Sequence, residues 1–128
     1  MLDLDSVTVI IVNYNAGSLL TRCVHAALEQ ARQVIVVDNA SSDSSVLNLE
    51  SEFSLENRLC IIRSESNIGF AAGCNKGLNA ATQPYILFLN PDCMLQSGTL
   101  KHLVQVLASD SNIGMVGGYL TNPDGSEQ

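Results

Sequence analysis

Asn90-Pro91-Asp92 brings together residue types that can bind a divalent cation. It directly follows the apolar run Tyr85–Leu89, which predicts a buried strand. Pro91 cannot donate a sheet hydrogen bond and disfavours a helical conformation at Asn90, so the strand should end there. Residues two apart in an extended chain point the same way, and hard cations take carboxylate and amide oxygens as ligands. The same three residues are also typical of an ordinary turn closed by an Asx hydrogen bond.

Apolar segments recur along the chain at the spacing of alternating strands and helices. Three further strands are predicted at residues 7–12, 33–37 and 59–63, and a weaker fifth one at 113–119. Helices are predicted at 18–31, from the polar run 40–45 to about 53, at 69–81, and from 97–99 to 107. A turn at 121–126 could head a hairpin. This alternation predicts an α/β fold, with a mostly parallel, doubly wound sheet and helices on both faces.

Polar side chains follow four of the predicted strands. They are Asn13, Tyr14 and Asn15, then Asp38 and Asn39, then Asn67, and finally Asn90 and Asp92. Because ligands of open parallel sheets bind outside the carboxyl ends of the strands, this clustering predicts a binding site. Asp38 could accept hydrogen bonds from a base N–H or ribose hydroxyls, or it could cap the following helix. Tyr14 could stack on a base or cover the core.

Three glycines, Gly69, Gly73 and Gly77, recur every four residues and therefore share one face of a predicted helix. Two interpretations remain open. The helix could pack closely against the sheet, or its first turn could let a ligand approach the backbone.

Charge and composition exclude several classes of protein. The chain has 128 residues, enough for one domain, and a net charge of -7 with six scattered Lys and Arg residues. A nucleic acid would find no basic stripe, so a phosphorylated ligand would need a metal to offset its charge. No apolar run reaches the roughly 20 residues of a membrane span, and residues 1–5 carry no secretory signal. Four cysteines without a C-x-x-C pair indicate reduced thiols and a cytoplasmic location.

Two nucleotide-binding signatures are missing, because the sequence has neither a P-loop nor a G-x-G-x-x-G after its first strand. Instead, four segments together resemble the family 2 glycosyltransferases of the GT-A fold. In order they are V-T-V-I-I-V-N-Y-N, V-I-V-V-D-N-A-S-S-D, N-I-G-F-A-A-G-C-N-K-G and Y-I-L-F-L-N-P-D. The resemblance implies transfer of a sugar from a UDP- or dTDP-linked donor to a glycan or lipid-linked acceptor, as in polysaccharide biosynthesis. It also implies a divalent cation, Mn²⁺ or Mg²⁺, on the diphosphate.

Carried over by position, the resemblance assigns roles to individual residues. Those implied to bind the nucleotide sugar are Asn13, Tyr14, Asn15, Asp38, Asn39, Asn67, Gly69 and Asn90. Asp92 would be the metal-bound carboxylate of the family's D-x-D, whose first position is here the amide Asn90. This N-P-D variant is most similar to the rhamnosyltransferase-like branch.

The resemblance also implies that the catalytic base lies downstream, beyond Gln128. Residues 1–128 are therefore interpreted as a truncated GT-A domain that carries the donor-binding half, with the acceptor-binding half absent. We expect nucleotide binding without efficient transfer, in the cytoplasm or at the inner membrane face. Apolar surface left exposed would favour self-association.

Two other functions compete with this interpretation. A non-catalytic module could fold around an inert nucleotide pocket or serve assembly. A receiver-type phosphoacceptor domain has a similar length and alternation. It would need paired carboxylates after the first strand, where this chain has Asn13-Tyr14-Asn15, and an aspartate after the third, where it has Arg63-Ser64.

Overall fold

Four parallel strands form the sheet in the computed structural model, which describes residues 6–128. Residues 1–5, on which the expectation of no secretory signal rests, lie outside the described part. The strands are β1 (Val7–Asn13), β2 (Gln33–Asp38), β3 (Leu59–Arg63) and β4 (Tyr85–Leu89). The helices are α1 (Ser18–Leu28), α2 (Ser45–Glu52), α3 (Phe70–Leu78) and α4 (Thr99–Ala108). The spatial order β3-β2-β1-β4 confirms the predicted doubly wound α/β fold.

The two central strands, β1 and β2, form the core of the sheet. Every residue of β1 is buried, and β2 is buried from its second residue onward. Strands covered on both faces read as continuous apolar runs, which is how the sequence predicted them. Helices α1, α2 and α4 pack on one face through side chains such as Leu20, Leu49 and Leu100. The other face carries α3 and a smaller apolar cluster around Ile10 and Ile35.

The strand register brings the carboxyl ends to one level. Asn13 is paired with Asp38, and Asp38 is paired with Arg63. On the other side of β1, Leu89 is paired with Ile11, so the chain leaves β4 beside the end of β1. The order reverses between β1 and β4, and such a reversal is where open α/β sheets bind ligands.

Two of the helices end earlier than the periodicity indicates. Helix α1 ends at Leu28 and α3 at Leu78, whereas the predictions extended to 31 and 81. In both cases the following N–H groups close tight turns onto the last helical carbonyls, such as Ala80 N–H onto Gly77 O at 3.0 Å. Apolar residues just after a helix preserve its hydrophobic pattern, so periodicity alone cannot locate this boundary.

Two of the three regularly spaced glycines, Gly73 and Gly77, lie within α3 and allow the helix to pack directly on the sheet. A Cβ atom at Gly77 would lie 2.5 Å from Ile10 Cγ2, and one at Gly73 would lie 2.9 Å from Val12 Cγ1. Close packing is therefore the interpretation that holds for these two positions. Gly69 differs, because it precedes the helix, has a φ of +85° and has open space around its Cα.

We expect Gly77→Ala to destabilise the fold by about 1–2 kcal/mol. Alanine is the better helix former, but its Cβ would overlap Ile10, a side chain that is fixed in the central strand. Urea denaturation should show a lower midpoint with an unchanged slope. Gly117→Ala is the matched control, since a Cβ there meets nothing within 4 Å. Equal or greater stability of the Gly77 variant would contradict the close packing.

The prediction of a fifth strand at residues 113–119 is wrong. The structure has no strand there, and Met115 is 88% exposed. Gly114, Gly117 and Gly118 give this segment little side-chain surface with which to pack on β4. The predicted hairpin at the end of the chain is present as a turn closed by one antiparallel bridge between Thr121 and Glu127.

Strand β4 therefore lies at an open edge of the described sheet. A cavity of about 420 Å³ lies against it, lined mainly by apolar side chains of β4, α4 and residues 114–116. Phe88, a residue of this edge strand, has 47% of its surface exposed. Nowhere in residues 6–128 is there a helix with the length and apolar character needed to cross a membrane.

Candidate functional site

The side chain of Asn13 is fully buried at the end of β1 and holds the side chains around it in place. The two hydrogens of its Nδ2 are shared among three acceptors, Asp38 Oδ1 at 2.9 Å, Ser45 Oγ at 2.9 Å and Ser41 Oγ at 3.1 Å. Its Oδ1 has no hydrogen-bond partner among the described residues. Asn13 thus fixes the orientation of Asp38. Direct contact of Asn13 with a nucleoside remains a prediction.

Asp38 lies at the end of β2 and is only 4% exposed. Its Oδ1 accepts from Ser41 Oγ at 2.6 Å in addition to Asn13, and its Oδ2 accepts from the Ser41 backbone N–H at 3.1 Å. Oδ1 is therefore saturated, whereas Oδ2 can accept a further hydrogen bond. Asp38 does not cap α2, because the N-cap residue of this helix is Ser44 and it has no side-chain cap hydrogen bond. The Ser45 N–H at the start of α2 donates to Asp43 Oδ1 at 3.1 Å.

Asn39 links the end of β2 to the start of α3. Its side-chain Nδ2 donates to Gly69 O at 3.0 Å, and its backbone N–H donates to Asn13 O at 2.8 Å. Asn67 Oδ1 accepts from the Gly69 N–H at 3.0 Å, so Gly69 is held from both sides. Asn39 is 3% exposed, and its Oδ1 has no partner within residues 6–128. A buried amide oxygen without a partner needs a hydrogen-bond donor, which water or a ligand can supply.

Tyr14 lies on the surface immediately after β1, with 55% of its area exposed. A ring this exposed does not cover the core, so of the two interpretations left open for Tyr14 the structure favours the one in which it is available for stacking. Asn15, the next residue, is also exposed and adopts a φ of +53°.

The turn after β4 presents Asn90 and Asp92 to solvent. The Cys93 N–H donates to Asn90 O at 3.0 Å, which closes the turn, and the Cys23 thiol donates to the same oxygen at 3.5 Å. Both interpretations of the N-P-D sequence are compatible with this geometry, because the turn is made by backbone atoms and the two side chains remain exposed.

Burial and the charge of Asp92 keep the neighbouring thiols protonated. Burial raises the pKa of Cys23 to about 12, with smaller contributions from Cys93 and Asp92. Burial also raises the pKa of Cys93, and Asp92 adds to the effect. Neutral thiols at this edge leave Asp92 as the charged oxygen donor of the turn.

Asp92 does not form a complete metal site with its neighbours. Within residues 6–128 no three His, Cys, Asp or Glu side chains are grouped so that they could hold a metal ion. Magnesium-like ions are commonly held by one or two protein carboxylates together with substrate phosphates. The donor set therefore fits an ion that binds together with a diphosphate, and does not fit a permanently bound ion.

The structure also assigns roles to residues that sequence reasoning passed over. Ser41, Asp43 and Ser45 lie in the polar run 40–45, which predicts only the start of a helix, yet all three contribute to the hydrogen-bond network around Asp38 and Asn13. Their position directly after Asp38 was the available signal. Lys76 Nζ bonds Ser64 Oγ at 3.2 Å and places a cation near the end of β3.

A family model, glycosyl transferase family 2, matches residues 8–128. The chain belongs to this family. Among its relatives, the glycosyltransferase GlyG of Streptococcus pneumoniae serotype 4 is 27% identical over 118 residues, covering 90% of this chain and 39% of that protein. The putative teichuronic acid biosynthesis glycosyltransferase TuaG of Bacillus subtilis is 29% identical over 116 residues, covering 88% and 46%. The chain thus spans less than half the length of these relatives.

Solved structures agree with this assignment. The mannosyltransferase PcManGT of Pyrobaculum calidifontis, in complex with GDP-Man and Mn²⁺, superposes with a TM-score of 0.71 at 28% identity, over 80% of this chain and 32% of that one. S. aureus TarS 1-349 in complex with UDP-GlcNAc gives 0.70 at 24% identity, over 80% and 31%, and supports the fold alone. The GT-A fold prediction is confirmed. Family membership leaves the receiver-type phosphoacceptor interpretation without support.

Proposed function

We propose that this chain binds the nucleoside diphosphate of a sugar donor and forms the donor-binding half of a glycosyltransferase. One observation carries this proposal: three strands end side by side where the order of the sheet reverses. Their carboxyl ends bear Asp38, Tyr14 and the Asn90–Asp92 turn. This arrangement provides an acceptor for a base, a ring for stacking and an oxygen donor for a cation at one edge. Family membership supports the transferase class.

The nucleoside half of the proposal rests on Asp38 and Tyr14. Uracil and thymine each present one N–H donor between two carbonyl acceptors, and the unsaturated Oδ2 of Asp38 is an acceptor suited to that N–H. Tyr14 offers an exposed aromatic face, which stacks on any base. These two features favour a UDP- or dTDP-linked donor. The rhamnosyltransferase-like branch, and with it a dTDP-rhamnose donor, is part of this proposal.

The diphosphate half rests on Asp92 and Asn90. A divalent cation, Mn²⁺ or Mg²⁺, would be held by the Asp92 carboxylate together with phosphate oxygens of the donor, and the Asn90 amide oxygen would be a further candidate ligand. When bound, the cation would neutralise charge on the leaving diphosphate. Because Asn90 replaces a carboxylate, the chain contributes one negative charge fewer to the ion, so the ion depends more strongly on the diphosphate. The Mn²⁺ complex of PcManGT supports a divalent cation.

The acceptor half is proposed to lie in polypeptide outside residues 6–128. Transfer needs a base to deprotonate the acceptor hydroxyl, and the longer relatives have more than half their length outside the matched region. The open edge of β4, with Phe88 exposed, offers an apolar surface against which further polypeptide would pack. Without that cover, the same surface favours self-association. The acceptor would be a glycan or a lipid-linked sugar at the cytoplasmic face of the membrane.

The alternative is a non-catalytic nucleotide-binding or assembly module. The observation that favours it is the incomplete metal site, since Asn90 stands where the family pattern has a carboxylate and no three-residue ligand group accompanies Asp92 within the described chain.

Isothermal titration calorimetry with UDP, dTDP and GDP, each with and without Mn²⁺, tests the proposal. We expect UDP or dTDP to bind more tightly than GDP and to gain affinity with Mn²⁺, without measurable sugar transfer by this chain alone. Absence of binding for every nucleotide would favour the inert module. Measurable turnover would contradict the location of the base outside this chain.

A further inference from the structure

Two loops at the nucleoside edge are tied together by reciprocal hydrogen bonds. In the loop after β1, Asn15 Oδ1 accepts from the backbone N–H groups of Ser42 at 2.8 Å and Asp43 at 3.2 Å. In the loop after β2, Asp43 Oδ2 accepts from the backbone N–H of Gly17 at 2.9 Å. Each loop thus supplies a side-chain acceptor for the backbone of the other. We call the pair Asn15 and Asp43 the loop clasp.

The first loop has a backbone conformation that needs such support. Asn15 has a φ of +53°, and Gly17 combines a φ of +59° with a ψ of −139°, close to a region that only glycine adopts readily. Backbone conformations of this kind persist when surrounding contacts fix them. The clasp engages this loop at the side chain of Asn15 and at the N–H of Gly17. In addition, the backbone N–H of Asn15 donates to Ser41 Oγ at 2.9 Å.

Tyr14 lies inside the segment that the clasp fixes. On its amino side, Asn13 is held by three side-chain hydrogen bonds, and on its carboxyl side Asn15 is held by the clasp. The backbone of Tyr14 is therefore fixed at both ends while its ring is exposed. Surface loops are otherwise mobile, and ordering one on binding costs affinity.

Asp43 must be ionised to accept hydrogen bonds through both carboxylate oxygens, one from Gly17 and the other from Ser45. Its Oδ1 accepts from Ser45, through both the N–H and the hydroxyl, while its Oδ2 accepts from Gly17. Hydrogen bonding by Ser45 holds the pKa of Asp43 below its usual range, and the bond from Gly17 acts in the same direction. An amide at this position has a single acceptor oxygen and can serve only one side.

We infer that Asn15 and Asp43 are positioning residues of the nucleoside subsite, which hold Tyr14 in the orientation that stacks on the base. This inference rests on the proposed function, because it presupposes a base at Tyr14. It differs from what the family resemblance implies for Asn15, which is a direct contact with the ligand. Here Asn15 acts through the loop backbone.

Two variants of the 128-residue chain test the clasp. Asn15→Gly keeps access to positive φ but removes the acceptor, and Asp43→Asn removes one of two acceptor oxygens. We expect each to weaken binding of UDP or dTDP in the presence of Mn²⁺ about tenfold, because the loop must then be ordered on binding. Calorimetry measures the affinity, and thermal unfolding within about 5 °C of the unsubstituted chain shows that the fold is intact.

Asp124→Asn is the matched control. Asp124 accepts from the N–H of Ser126 at 2.9 Å and from its hydroxyl at 2.6 Å, which is the local bonding pattern of Asp43 and Ser45 without a bond to a second loop. This variant should bind the nucleotide like the unsubstituted chain.

A Tyr14→Ala background separates positioning from general stability. If the clasp acts through Tyr14, adding Asn15→Gly or Asp43→Asn to Tyr14→Ala should cost no further affinity. A full additional tenfold loss in that background, or unchanged affinity of both single variants, would overturn the inference.

Amide hydrogen exchange distinguishes a failure of the clasp inference from a failure of the proposed function. The N–H groups of Gly17, Ser42 and Asp43 should be protected in the free protein, and Asn15→Gly should remove the protection of the last two. Protection in a chain that binds no nucleotide would overturn the proposed function and, with it, the positioning role. Nucleotide binding by a chain whose loops are unprotected would overturn the clasp alone.

Discussion

Replacing Asp92 with alanine should remove the Mn²⁺-dependent part of nucleoside diphosphate binding. Asp92 is the charged oxygen donor of an exposed turn, and the described residues offer no group of three ligands that could replace it. Loss of a ligand weakens a metal–nucleotide complex at least as much as loss of a supporting residue, which costs roughly 10–100-fold. Calorimetry with UDP or dTDP should therefore give the same weak affinity with and without Mn²⁺.

Asp110→Ala is the matched control for this experiment. Asp110 is an exposed aspartate that accepts from the Asn112 N–H at 2.9 Å, so its removal makes the same change in net charge away from the site. Its affinity should match that of the unsubstituted chain. An Asp92 variant that kept its gain in affinity with Mn²⁺ would show that the N-P-D sequence is only a turn.

Adding a carboxylate at Asn90 tests the same metal site by strengthening it. Asn90→Asp restores the second carboxylate of the family pattern, and the side chain is exposed, so little packing is disturbed. Mn²⁺ should then bind more tightly in the presence of the nucleotide, because hard cations favour charged oxygen ligands.

Asp38→Asn should lower both nucleotide affinity and the free energy of unfolding. Each oxygen of Asp38 faces a donor, Asn13 Nδ2 at 2.9 Å on one side and the Ser41 N–H at 3.1 Å on the other. An amide NH₂ must therefore oppose one donor in a buried site, which costs about 1–3 kcal/mol. The variant also loses acceptor capacity for a base N–H.

The two effects of Asp38→Asn are measured separately. Urea denaturation gives the stability, and calorimetry at a temperature where the variant is folded gives an affinity expected to fall about tenfold or more. Asp110→Asn makes the same chemical change on the surface and should alter neither quantity. If nucleotide affinity were unchanged in the folded variant, Asp38 would be a structural residue of the loop after β2.

Hydrophobic pattern was sufficient to predict the four strands of the sheet, and the reason is local. The buried strands β1 and β2 are unbroken apolar runs, and such runs end at polar residues that are visible in the sequence. The prediction of a strand at 113–119 was wrong because three glycines interrupt this weaker apolar run, which leaves few side chains to pack against a neighbouring strand. Whether a marginal run becomes a strand depends on a neighbour that the local sequence does not contain.

The candidate site was predictable as a set of residues and not as a set of roles. That polar residues follow every strand is a property of the sequence, and parallel pairing alone then places them at one edge. The family resemblance placed Asn13 and Asn39 among the ligand-binding residues, and this remains a prediction. Only the structure shows that their buried side chains also donate hydrogen bonds to Asp38 and Gly69. Burial depends on what packs above a residue, so a position along the chain does not reveal it.

By itself, the sequence determined the family, the alternation of strands and helices and the residue types gathered at the strand ends, because these follow from local pattern. The tertiary structure decided which of the three regularly spaced glycines meet the sheet, which oxygen of Asp38 remains open and how Asn15 and Asp43 join two loops. These depend on distances between residues that lie 25 or more positions apart in the chain. Local propensity carries no information about such distances, because the packing of the whole chain sets them.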